Sequence, residues 1–75
     1  MSMRQRKSQS ERAKMLRELR LQRGLSRAEL SVKSGVGESL LYKIEAFGYV
    51  PTQRTIEKLA AVLGEEVWAL FREEI

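Results

Sequence analysis

Residues 25–45, LSRAELSVKSGVGESLLYKIE, constrain the chain more than any other stretch. They read as two short helices joined by a tight glycine turn. Ser26 suits the N-cap of the first helix, and Glu29, three residues on, completes a capping box. In that motif each side chain satisfies a backbone N–H that a helix start leaves open. Gly35 falls where this helix must stop and the chain needs a positive φ, which glycine adopts at little cost. Small Ser31, one turn earlier, lets the two helices approach closely. Leu41 and Ile44 share one face of the second helix, which turns Glu38, Ser39, Tyr42 and Lys43 outward. A helix held by one face, with the other polar and its N-terminus free, has the shape to enter a DNA major groove.

The flanking sequence extends the same pattern. Residues 1–9 lack apolar periodicity and read as a flexible basic arm, leaving residues 10–75 as one domain. Ser10 is expected to cap a first helix from Glu11 to about Arg23, with Met15, Leu16 and Leu19 as its buried stripe and Gly24 ending it. The second helix runs from Ser26 to about Ser34, and the third from Gly37 or Glu38 to about Ala46. Residues 47–51 read as a loop, because Gly48 and Pro51 both break helix. Thr52 caps a fourth helix over residues 53–63, where Ile56, Leu59, Ala60 and Leu63 share one face and Gly64 stops it. A fifth runs from about Glu66 to Glu73, with Val67, Leu70 and Phe71 inward. No alternating strand pattern occurs, so the expected class is all-α, five short helices around one core.

Composition narrows the chemistry. The chain has 75 residues and 43% apolar content, enough for one small helical core. It contains no cysteine and no histidine. Disulfides, thiolate metal sites and Cys/His nucleophile–base pairs are therefore excluded, and zinc would need carboxylates alone. There is no glycine-rich phosphate loop and no carboxylate cluster, so the expectation is a non-enzyme with no metal and no cofactor. The basic start has no apolar run behind it, and no stretch approaches ~18 apolar residues, so neither a signal peptide nor a membrane span is expected. The implied location is cytoplasmic.

The net charge of +4 conceals an asymmetry. Residues 1–23 carry eight Lys/Arg against two Glu, a net +6, whereas residues 24–75 carry six against eight, a net −2. One end can attract a polyanion that the other avoids. A plain reading of the same numbers is a solvated charged surface. Trp68 is the only tryptophan. With Val67, Phe71 and Ile75 it makes a candidate dimer seam rimmed by glutamates, since Trp is enriched at interfaces. The competing expectation is that its indole packs on helix one.

In register, these pieces resemble the lambda-repressor/Cro-like, or Xre-type, helix-turn-helix regulators. The matching residues are Leu16-Arg-Glu-Leu-Arg20, Gly24-Leu-Ser26, Ala28-Glu-Leu30, Ser34-Gly-Val36, Ile44-Glu45, Pro51-Thr52, Thr55-Ile56, Leu59-Ala60, Leu63-Gly64 and Leu70-Phe71. The resemblance implies a five-helix domain, with the helix-turn-helix at helices two and three, that binds operator DNA as a two-fold dimer. It implies a structural pair between Arg20 and Glu45 locking helix three onto helix one. It places base contacts at Gly37, Glu38, Ser39, Tyr42 and Lys43, and a backbone-phosphate contact at Arg27. Thr52 and Arg54, at the start of helix four, and the arm residues Arg4, Arg6 and Lys7 are further candidates for phosphates. The chain departs from such relatives at Phe47, where glycine is common, and in lacking a basic residue just after it. Gly37 replaces a serine or threonine cap, and apolar Leu40 replaces a polar residue, with partial burial expected.

Two functions fit. The first is a regulator that binds a pseudo-palindromic operator in double-stranded DNA as a homodimer. The second is a protein-interaction module that keeps the fold with weak or no DNA binding, suggested by Phe47, Tyr49, Trp68 and the loop without cations.

Overall fold

The computed structural model describes residues 8–72. Five helices occur among them: α1 (Gln9–Gln22), α2 (Arg27–Ser34), α3 (Glu38–Phe47), α4 (Gln53–Leu63) and α5 (Glu66–Phe71). No strand occurs among these residues, and the class is all-α. The candidate residues Arg4, Arg6, Lys7 and Ile75 lie outside the described residues.

Helix starts follow side-chain capping. Ser8, not Ser10, caps α1: its hydroxyl accepts from the Glu11 N–H at 3.1 Å, and the Glu11 carboxylate accepts from the Ser8 N–H at 2.9 Å. Ser10 has no glutamate three residues on and so cannot close this box. Ser26 and Glu29 form the same box at α2, with distances of 3.0 and 2.8 Å. Thr52 caps α4 through the Thr55 N–H at 3.3 Å. Gly35 ends α2 in the left-handed region at φ 78°. Phe47 is not in the loop; it is the last residue of α3, and Gly48 caps that helix at φ 68°.

One core joins all five helices. Leu16, Leu30, Val36, Leu41, Ile44, Ile56, Leu59, Leu63, Val67, Leu70 and Phe71 are buried in it. Two sequence expectations need correcting. Met15 is exposed, and the face α1 buries runs through Arg12, Ala13, Leu16 and Arg20, with Leu19 half-buried beside it. Arginine at two positions on that face hid it from a reading based on hydrophobicity. Val67 and Phe71 are fully buried in the domain's own core, so they are not free to form a seam with a second molecule. Trp68 is half-buried and packs against the same core rather than standing clear of it.

Candidate nucleic-acid interface

Helix α3 is clamped from beneath. Leu41 and Ile44 are completely buried, while Glu38, Ser39, Tyr42 and Lys43 are exposed on the opposite face and Leu40 is half-buried. The helix has both an anchored and a presented side because its apolar residues recur at helical spacing. Gly37, its N-cap, has φ −59° and makes no side-chain capping bond. The first turn of α3 therefore keeps its backbone N–H groups clear of any capping side chain.

A fork of charged hydrogen bonds fixes the far end of α3. The Arg20 Nε donates to Glu45 Oε2 at 2.7 Å, and its Nη2 to Oε1 at 2.8 Å. Nη1 donates to the Leu25 carbonyl at 2.8 Å, which ties in the α1–α2 connection. The two side chains are 9% and 4% exposed, so water screens the pair poorly. The Glu45 carboxylate raises the pKa of Arg20 against the opposing effect of burial. Arg12 supplies a second tie that sequence reading missed. Its Nε and Nη2 donate to the Gly48 carbonyl at 3.2 and 3.0 Å, fastening the end of α3 to α1.

Arg27 does not simply extend into solvent. Its guanidinium carbon lies 5.2 Å from the Tyr42 ring centroid, and its Nε lies 3.7 Å from Glu45 Oε1. That Nε is buried and makes no hydrogen bond. Tyr42 in turn meets Phe47 edge to face, with centroids 5.8 Å apart and planes at 89°. Arg27, Glu38, Ser39, Tyr42, Lys43 and Phe47 line one shallow hollow on the presented face. Phe47 was missing from the sequence-based base-contact set, although its place four residues after Lys43 puts it on the same face. Thr52 and Arg54 are exposed at the start of α4. None of the described helices is long and apolar enough to cross a membrane.

Comparison with known families matches residues 16–67 to a helix-turn-helix family. No curated protein and no solved structure matches the chain. The match spans the clamp, the glycine turn and the presented face of α3, and with it the chain belongs to the Xre and lambda-repressor-like helix-turn-helix family of DNA-binding regulatory domains.

Proposed function

We propose that this protein is a sequence-specific transcriptional regulator that binds a pseudo-palindromic operator as a homodimer, with α3 in the major groove. The observation that carries the reading is the division of α3: one face locked by Leu41, Ile44 and the Arg20–Glu45 fork, the other offering Glu38, Ser39, Tyr42 and Lys43. A rigid helix reads bases better than a mobile one, because little ordering remains to be done on binding. Lys43 suits guanine O6 and N7, Glu38 suits cytosine N4, and Ser39 suits donor or acceptor edges. Gly37 opens the helix and lets its backbone approach the groove. Arg27, Thr52 and Arg54 flank this face as phosphate contacts, and Arg4, Arg6 and Lys7 extend the basic end. The protein acts in the cytoplasm, on the DNA it regulates. Trp68 and Ile75 remain the candidates for the dimer seam.

The exposed aromatics support a second reading, a protein-interaction module. Phe47 is 60% exposed, and Tyr42 and Tyr49 are also open to solvent. Selection from a random duplex library, with affinities repeated across salt concentrations, separates the two. A two-fold symmetric motif and a steep loss of affinity with salt are expected for operator binding. No enriched motif, with weak or salt-insensitive binding, would assign the surface to a protein.

A further inference from the structure

We infer that Tyr42 and Phe47 form a reader for the 5-methyl group of a pyrimidine in the major groove, with Arg27 as its positioning residue. This rests on the operator-binding reading and deepens it. Duplex DNA offers one apolar group on its major-groove edge, the 5-methyl of thymine, and methylated cytosine carries the same group. An exposed aromatic pair on a groove-facing helix gains free energy by covering such a methyl with its ring carbons, and Phe47 has no polar group to offer a base edge. Phe47 and Tyr42 form such a pair on the presented face. Glu38, Ser39 and Lys43 border them in the same hollow, so a base docked there meets a donor, an acceptor and a hydroxyl beside the aromatic pair.

The pair is held in place rather than free. Arg27 lies over the face of the Tyr42 ring at 5.2 Å, within cation–π range, and Phe47 meets Tyr42 at right angles. Arg27 itself faces the Glu45 carboxylate, which Arg20 fixes in two hydrogen bonds. Support therefore runs from the core outward: Arg20 to Glu45, Glu45 to Arg27, Arg27 to Tyr42, and Tyr42 to Phe47. Two arginines share the Glu45 carboxylate in this relay, and Glu38 and Lys43 beside it offset one another, leaving a net positive charge at the aromatic pair. That charge fits a DNA edge flanked by phosphates and does not call for an apolar protein partner.

The test uses the full chain and the duplex recovered by selection. Each thymine is replaced in turn by deoxyuridine, which removes the methyl and nothing else. One position per half-site is expected to lose about fourfold in affinity, the worth of one buried methyl-sized group. Phe47→Ala should bind thymine and deoxyuridine duplexes alike, with the salt slope retained. Arg27→Lys should lose the same discrimination between thymine and deoxyuridine, whatever its effect on overall affinity, because lysine lacks the planar group that lies over Tyr42. Cytosine and 5-methylcytosine at the sensitive position identify the source: tighter binding to the methylated base extends the reader to 5-methylcytosine, and no gain confines it to thymine. Steep salt-dependent binding with no deoxyuridine effect, or an effect that survives Phe47→Ala, overturns the reader and leaves operator binding standing. No salt-dependent duplex binding overturns both and gives the aromatic face to a protein partner.

Discussion

Arg12 and Arg20 show how a residue's chemistry can mislead about its place. Both lie on the face of Leu16, four residues before and after it, and both are buried. Counted as charge they belong to the basic end of the chain; counted by helical spacing they belong to the core face. The spacing was legible, but the burial was not, because the partners lie far away in sequence at Gly48 and Glu45. The Arg20–Glu45 pair came from the family resemblance and not from any local pattern. Removing one member leaves the other charge with little water, so Glu45→Ala should cost about 3–5 kcal/mol in urea unfolding. A loss below about 1 kcal/mol would mean the pair behaves as a surface ion pair. Glycine gives a second contrast at this scale. Gly35 and Gly48 both have positive φ, but a β-carbon at Gly35 would meet nothing, whereas at Gly48 it would overlap the Gln9 carbonyl. Gly35→Ala should therefore cost only the backbone strain, about 1–2 kcal/mol. Gly48→Ala must also push α1 away from the end of α3, and thermal melting should show the larger loss.

The helices were the most legible part of the chain where capping and periodicity agreed. The bounds of α4 follow directly from Thr52, the apolar stripe and Gly64. The cap of α1 is Ser8 and not the expected Ser10, and only Ser8 has a glutamate at the third position beyond it. The end of α3 lies one residue beyond the expected Ala46, because Gly48 ends the helix without displacing Phe47 from it. Capping also sets how α2 responds to mutation and acid. Ser26→Ala removes the hydroxyl that accepts from Glu29 and should cost about 1 kcal/mol. Hydrogen bonds from Ser26 lower the pKa of Glu29. A carboxylate whose pKa is depressed by folding stabilises the native state above its unfolded value, and that contribution is lost as pH falls through the folded value. Glu29→Gln keeps a capping-box side chain without the titration, so its melting temperature should fall less than the parent's between neutral and acidic pH. Parallel curves for the two proteins would remove Glu29 from the acid response.

At the scale of the whole molecule, burial redraws both the charge and the sticky surface that the sequence suggested. Arg12 and Arg20 are buried and so withdrawn from the positive surface; on the operator-binding reading, phosphate contacts then fall to Arg27, Arg54, Arg4, Arg6 and Lys7, with Lys43 kept for a base. Specific and non-specific contributions then separate by substitution. Lys43→Ala should cost about 1–3 kcal/mol at one base position, whereas Arg54→Ala should weaken all duplexes alike and reduce the salt slope by about one. A dimer seam is the feature hardest to read from sequence, because an apolar stripe on a helix looks the same whether it faces its own core or a second chain. The core takes Val67 and Phe71, leaving Trp68 only half-covered. If the remaining indole surface closes the two-fold, Trp68→Ala should shift sedimentation from dimer toward monomer and abolish cooperative occupancy of the two half-sites, with helicity unchanged. A Trp68→Ala protein that remains dimeric would move the seam elsewhere. Exposed Leu21 and Met15 on α1 would then be the next apolar groups to test.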